Sequence, residues 1–464
     1  MKAPLTLLAA SLLLAACATP ESAPDSGIQP PPAWQQLDAP GAQADNQKWW
    51  THFGSPQLNR LIEQARRDSH DLAAAMARVR QAQASAVIAG APLLPAVTAG
   101  LNGNRQELLR GKGYSQLDVD RDNRTIDYYD ANLSATYELD FWGGKRAARD
   151  SALSTLSASQ FDRATVELTL LSGVANSYTQ ALSLREQQRI AEQNLDNAQR
   201  VLDLVQTRYD AGSATALELS QQKSLVAAQQ RRLPQVQQQA REALITLATL
   251  LGQPVQSVRL DDDSFDRLHW PAIDAGVPSD LLRRRPDIAA AEARLAAAQA
   301  DITVARAAML PTMTLGLSLA TGADIADQLL RNNVYNLTAG LAAPIFNNGR
   351  LSAEQDRATA RQEELLELYR AAIINGFADV EKALNGINGL DRQRQWQSEE
   401  LNQAQTAFDI AQRRYQAGAE DLLTVLETQR TLYAAQDMNV QLRLARVQAS
   451  VALYKALGGG WRVM

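Results

Sequence analysis

Arg208-Tyr209-Asp210-Ala211-Gly212 returns later in the chain as Arg414-Tyr415-Gln416-Ala417-Gly418. Five residues past each glycine stands a leucine, Leu217 and Leu423. Further on, Leu225-Val226-Ala227-Ala228-Gln229 is answered by Leu432-Tyr433-Ala434-Ala435-Gln436, with one residue gained in the second copy. Chance similarity in Ala/Leu/Gln-rich sequence is the competing explanation, but the Arg-Tyr-x-Ala-Gly blocks are not low-complexity, so the chain reads as an internal duplication. A glycine at such a point suits the left-handed residue of a tight helix-to-helix turn. Each copy is therefore a long antiparallel helical hairpin, turning at Gly212 or Gly418.

The sequence on either side of the turns supports long rods. From Gly144 to Ala211 there is no proline and only Gly173 interrupts, so an unbroken helix would run roughly 100 Å at a rise of about 1.5 Å per residue. The stretch from Gly349 to Ala417 has the same character, with Gly376, Gly386 and Gly389 as places for a bend or a change of packing. Apolar residues recur at steps of three and four in Leu233, Val236, Ala240, Leu244, Leu247 and Leu251, and again in Val440, Leu444, Val447, Val451 and Tyr454. Such seams fit helices packed in coiled-coil fashion. Periodicity alone also fits an ordinary helical bundle, but globular domains seldom hold rods of this length.

Each copy also carries two short segments of period two. Leu133, Ala135, Tyr137, Leu139 and Phe141 alternate with polar residues, as do Leu337, Ala339, Leu341, Ala343 and Ile345 with small or polar ones. Before them lie Val97, Ala99 and Leu101, and Met313, Leu315, Leu317 and Leu319, each set following a Leu-Pro stop at Pro95 or Pro311. At about ten residues with one apolar side, these are the dimensions of transmembrane β-strands, against the alternative of two exposed hairpins on a soluble protein. Four strands leave edges that lipid cannot satisfy. Three chains would supply about twelve, whereas the eight strands of a dimer would be filled by their own side chains. The expected class is thus mainly α with a small transmembrane β part, in which three chains of four strands each close a trimeric 12-stranded barrel. The polar loop from Arg105 to Tyr129 and its counterpart from Gly322 to Asn333 are expected on the outside.

The N-terminus gives the address. Met1-Lys2, an apolar run from Leu5 to Leu14 and Leu14-Ala15-Ala16-Cys17 form a cleavable signal peptide ending in a lipobox, with Cys17 the lipidation site. An ordinary signal peptide with a chance cysteine is the alternative. Cys17 is the only cysteine among 464 residues, so no intramolecular disulfide exists. The expected organisation is signal peptide 1–16, lipidated tether 17–45, first repeat 46–252, equatorial linker 253–278, second repeat 279–458 and tail 459–464. Within the repeats, strands are expected at about 95–105, 131–142, 311–321 and 334–346. The tether is rich in Pro, Ala, Ser and Asp, a composition that buries no core. A net charge of −5 with scattered Lys and Arg argues against nucleic acid, and 3 His with one lipidated Cys supply metal chemistry poorly. No Gly-x-x-x-x-Gly-Lys-Ser/Thr loop and no His-Glu-x-x-His occur, so no enzyme and no cofactor are expected.

Several blocks together resemble the outer-membrane factors of tripartite efflux pumps, the OprM/NodT lipoprotein branch of the TolC-like family. They are Trp49-Trp50-x-x-Phe53 with Leu58 and Leu61, Glu138-Leu139-Asp140-Phe141-Trp142-Gly143, Arg284-Arg285-Pro286-Asp287-Ile288 with Ala291-Glu292, Pro311, and the duplicated turns. The resemblance covers essentially the mature chain. It implies a TolC-like homotrimer in the outer membrane, its 12-stranded β-barrel continuous with a long α-helical barrel in the periplasm, held partly by lipid and acting as a passive conduit for drugs or other small toxic compounds. It also implies a periplasmic adaptor as partner, reached at the turns around Gly212 and Gly418, and an inner-membrane transporter of RND type. By the same resemblance, Ala18 after the cysteine favours outer-membrane sorting. Leu423, Glu427 and Arg430 fall at i, i+4 and i+7, hence on one helix face. The resemblance implies that this face narrows the pore at rest, with Glu427 where the group has Asp; an intrahelical Glu427–Arg430 surface pair is the bland alternative. A conduit for type I protein secretion and a non-channel structural lipoprotein remain open as rival functions.

Overall fold

The structure is a computed structural model and describes residues 25–35, 46–107, 109, 125–261, 264–271, 273 and 275–461. Cys17, the expected signal peptide and the start of the tether lie outside the described residues, as do 110–124 of the first loop and 462–464 of the tail.

The elements in chain order are α1 (Pro56–Asp68), α2 (His70–Gly90), β1 (Ala96–Glu107), β2 (Thr125–Leu139), α3 (Gly144–Asp210), α4 (Ala216–Leu250), α5 (Pro278–Arg284), α6 (Pro286–Ala307), β3 (Thr312–Ala323), β4 (Asn333–Ala342), α7 (Arg350–Gln416) and α8 (Leu422–Ala456). The duplication is metrical: α3 and α7 both run 67 residues, α4 and α8 both 35, β1 and β3 both 12. The one-residue gain read in the second copy is therefore local. It holds over the buried pair Gln222 and Leu225 against Gln429 and Leu432, and it is given back before Gly252 and Gly458, which close the two helices with φ of +68° and +87°.

The chain divides into two compact units, and each takes parts of both copies. Of the described residues, one comprises those within 25–27, 80–158 and 291–369; the other those within 28–79, 159–290 and 370–461. In the first, an antiparallel sheet of order β1-β2-β3-β4 is joined to helices whose small core is Leu295, Ala298 and Leu365. The Phe-Trp-Gly-Gly block ends β2 tightly. Trp142 Nε1 donates to the Pro311 carbonyl at 2.7 Å, Gly143 takes φ +75°, and a Cβ on Gly144 would lie 2.6 Å from that of Ala307.

In the second unit the Trp-Trp-x-x-Phe block is core. Trp49 stacks on Tyr454 with centroids 5.3 Å apart and meets Trp50 and Phe53 edge-on. Ser55 caps α1 by accepting from Leu58 N at 3.1 Å, and its hydroxyl is 2.9 Å from that of Tyr178. Arg285 is a clamp: its guanidinium donates to both Asp287 oxygens at 3.0 and 2.6 Å and to Asp379 at 2.9 Å. Burial alone would raise the Asp287 carboxyl, but Arg285's hydrogen bonds and charge outweigh it and hold the carboxyl below its ordinary range. Gly458 packs so closely on the Arg284 carbonyl that a Cβ there would lie 1.9 Å from the oxygen.

Two expectations need correction and one is narrowed. α7 runs through Gly376, Gly386 and Gly389 without a break, and of the bend or change of packing expected there Gly376 shows close packing, since a Cβ on it would meet Ile288 Cδ1 at 3.1 Å. Both ends of the expected loop from Arg105 to Tyr129 are strand, because β1 and β2 stay paired out to Glu107 and Thr125. Polar cross-strand partners such as Arg105 and Asp127, 3.6 Å apart, carry the ladder on where apolar alternation stops. Finally, the expected tether is packed against a core at Trp34, within its described residues 25–35. Trp34 is buried among Ala275, Leu281, Val380, Leu384 and Leu453, edge-on to Phe377, with Nε1 donating to the Gly276 carbonyl at 2.9 Å.

Candidate functional site

Two surfaces carry features that folding does not require. The first is the sheet. Its register aligns Val97, Ala135, Leu317 and Leu337 in one row, Ala99, Leu133, Leu319 and Tyr335 in another, and Leu139, Met313 and Leu341 in a third. Between them run Thr98, Ser134, Ser318 and Asn336, and Thr136, Gly316 and Thr338. Residues opposite one another in register share a face, so one face is apolar and the other polar. The apolar face lies open: Leu101 is 74% exposed, Leu337 77% and Leu341 75%. A contiguous apolar band on short strands is what lipid, not water, covers. No helix among the described residues is long and apolar enough to cross a membrane.

The polar face is lined by small hydroxyl and amide side chains that satisfy one another. The Thr98 and Ser134 hydroxyls are 2.8 Å apart, and Asn102 Nδ2 donates to Asp130 at 2.9 Å. Glu138 is paired with Lys145 at 3.1 Å. Among the described residues β1 pairs only with β2 and β4 only with β3, so both outer edges keep unpaired backbone groups.

The second surface is formed by the two helical turns. Ser213 N donates to the Arg208 carbonyl at 2.8 Å and Ala419 N to that of Arg414 at 2.9 Å, each across a glycine of φ +73° or +78°. This six-to-one closure ends a helix on a left-handed glycine. The following helices begin with caps at equivalent places but of different chemistry. Thr215 and Glu218 bond reciprocally, Glu218 N to Thr215 Oγ1 at 3.2 Å and Thr215 N to Glu218 Oε2 at 2.6 Å. In the second copy Asp421 accepts from Thr424 N and Thr424 Oγ1, both at 2.8 Å. Around Gly212 there is open space.

Behind the turns a shared core of Val201, Val205, Leu219, Phe408, Tyr415, Leu422, Val425 and Leu426 joins the four long helices. Arg208 lies over the Tyr415 ring at 4.3 Å. With Leu422, Val425, Leu426 and Gln429 turned inward, Leu423, Glu427 and Arg430 are all exposed, Leu423 by 61%. Neither Glu427 nor Arg430 joins an ion pair among the described residues, so the intrahelical pair is not formed. In the first copy Leu217 answers Leu423, and Lys223, between Gln222 and Leu225, answers Arg430, which lies past the gained residue; Glu427 has no acidic counterpart. The leucine and the cation are duplicated and the carboxylate is not.

Buried glutamines tie the hairpins together, and the sequence reading missed them. Gln222 Nε2 donates to the Ala198 carbonyl at 2.7 Å; Gln429 Nε2 donates to Tyr433 Oη at 2.7 Å, and that hydroxyl donates to the Asn194 carbonyl at 2.8 Å. Burial pushes the Tyr433 phenol up to about 12. The only signal was glutamine at seam positions. Among the described residues no group of three or more His, Cys, Asp or Glu could hold a metal ion.

A family model described as outer membrane efflux protein matches residues 61–253 and 277–459, one stretch per copy. The chain is 63% identical to the pyoverdine export outer membrane protein OpmQ of Pseudomonas aeruginosa over 459 residues, 99% of this chain and 97% of that one. To the cation efflux system protein CusC of Escherichia coli it is 31% identical over 422 residues, 90% and 89% of the two chains. Among solved structures, the outer-membrane channel OprN matches with a TM-score of 0.83 at 28% identity, covering 93% of this chain and 99% of that one.

Proposed function

The chain belongs to the outer membrane efflux protein family, and from that premise we propose that three copies close into one passive conduit that exports pyoverdine. In its coarser terms the function is that of the family: an outer-membrane efflux channel with a TolC-like fold, working with a periplasmic adaptor and an inner-membrane transporter. The cargo rests on one observation. The pyoverdine-export relative is about twice as identical over the whole chain as the cation-efflux one. The trimer is supported by the two open strand edges and the apolar sheet face. A transporter of RND type is supported by the sequence resemblance alone.

In this reading Leu423, Glu427 and Arg430 narrow the periplasmic end. Their exposure on one face of α8 and the two charges without an ion pair support the role; charged groups are expected to find partners on neighbouring copies. The turns at Gly212 and Gly418 meet the adaptor, a role supported by their exposure and by the open space around Gly212. Lipid on Cys17 serves as an accessory anchor beside the strands, supported by the lipobox. The cargo is tested by expressing the chain in a Pseudomonas aeruginosa strain lacking OpmQ and measuring pyoverdine in the medium and in the periplasm. Restored export is expected. Correct trimer insertion without restored export, while tolerance of other toxic compounds rises, would move the assignment to another cargo.

A further inference from the structure

The duplication determines how one copy must pair with the next. Two offsets relate the copies: Pro95 and β1 correspond to Pro311 and β3, whereas β2 and Gly143 correspond to β4 and Gly349. Both Gly143 and Gly349 have positive φ, +75° and +78°, immediately before the long helix. The correspondence can be checked inside the sheet. It carries the pair Ala96 and Thr136 of the first hairpin onto Thr312 and Ala342 of the second, and those residues are partners.

The pairing between the copies within one chain is β2 with β3, where Leu139 faces Met313 and Leu133 faces Leu319. The trimer proposed above has one further kind of junction, β4 of one protomer with β1 of the next, and it is the same junction with the copies exchanged. We infer that β4 pairs antiparallel with β1 of the next protomer so that Leu341 faces Leu101, Gly340 faces Asn102 and Leu337 faces Arg105. The inference rests on the trimeric reading and adds its register.

Three features agree with it. The register carries the row of Leu139, Met313 and Leu341 on into Leu101 on the lipid face, with Leu337 and Tyr335 meeting Arg105 and Glu107 only near the loop ends of the strands, whereas a slip of one residue would turn every side chain of β4 to the wrong face. It also supplies partners to residues beyond β4: Ile345, 92% exposed in the protomer, comes opposite Val97, and Ala343 opposite Ala99. That completes the strand to the length its alternation predicts. Lastly, the junctions become uniform around the ring. Stepping across partners from Ala96 leads to Thr136, Gly316, Thr338 and then Asn104 of the next protomer, eight residues along β1. Three such steps stagger the ring by about 24 residues, which at about 3.3 Å rise and about 4.8 Å strand spacing means strands tilted roughly 54° and a barrel about 30 Å across. That is wide enough for an open conduit.

The test is disulfide trapping in membranes. Leu101→Cys with Leu341→Cys is compared with Leu101→Cys paired with Ala339→Cys or with Ala343→Cys, each oxidised by copper phenanthroline; single-cysteine variants serve as controls. The first pair is expected to give covalently linked dimers and trimers at several times the yield of either shifted pair. Asn102→Cys with Gly340→Cys, on the lumen face, repeats the test should the lipid-facing pair disturb insertion. Preferential trapping of a shifted pair, or an intact native trimer that none of these pairs traps, overturns the register. Absence of a trimer by native mass measurement on the unmodified protein would instead remove the reading on which it rests.

Discussion

Trp34→Ala should release residues 28–35 while leaving the rest of the protein folded. The indole is 4% exposed, and burying about 200 Å² of aromatic surface at about 25 cal/mol per Å² is worth about 5 kcal/mol. Its hydrogen bond to the Gly276 carbonyl adds about 1 kcal/mol, and Gln35 N donates to Glu381 Oε1 at 2.8 Å. Against these stands the cost of ordering the segment, on the order of 1 kcal/mol per residue. The terms nearly cancel, so Trp34 holds most of the docking energy, yet docking adds little to global stability. Hydrogen exchange read by mass spectrometry should show residues 28–35 falling to the rate of an unstructured chain in the variant. The unfolding midpoint should move by no more than a few degrees. Retained protection of the segment would refute the argument, and so would a large fall in the midpoint, which would make Trp34 part of the global core.

Other perturbations act elsewhere. Leu423→Ala combined with Glu427→Ala should raise the resting conductance of the reconstituted trimer in single-channel recordings; an unchanged closed level would remove these residues from the gate. Gly458→Ala must both hold a left-handed φ and displace the Arg284 carbonyl, so a loss of about 3 kcal/mol or more is expected, visible as a lower unfolding midpoint and reduced trimer yield. Asp287 titrates below its ordinary range when folded, so its contribution is complete above that range and is lost as pH falls through it to the folded value. Asp287→Asn should therefore lose less stability between pH 6 and pH 3 than the parent, as measured by thermal unfolding.

The strands and the turns were readable because each obeys a local rule. Period two marks Leu337, Ala339 and Leu341 without knowledge of any neighbour, and a left-handed glycine is needed wherever a helix ends as it does at Gly212. Between a bend and a packing role at Gly376 the sequence could not choose, because its purpose is set by Ile288, far away in the chain. Trp34 escaped because the composition of a Pro-rich stretch averages over its one large aromatic side chain. β2 was read too short, since the residues extending it to Thr125 pair through polar contacts that alternation does not register. At the candidate gate, the shared face of Leu423, Glu427 and Arg430 follows from spacing. What the two charges meet does not, because no partner for them lies in their own chain among the described residues.

The helix starts after the two turns have kept a role while changing its chemistry. In one a hydroxyl and a glutamate serve each other, in the other a single aspartate serves a threonine twice. Divergence after the duplication was therefore free to exchange residues so long as the exposed amide at the start of each helix still found an acceptor. What was inherited is a pattern of supply and demand for hydrogen bonds, and an ancestral half-length chain would be better reconstructed from that pattern than from residue identity.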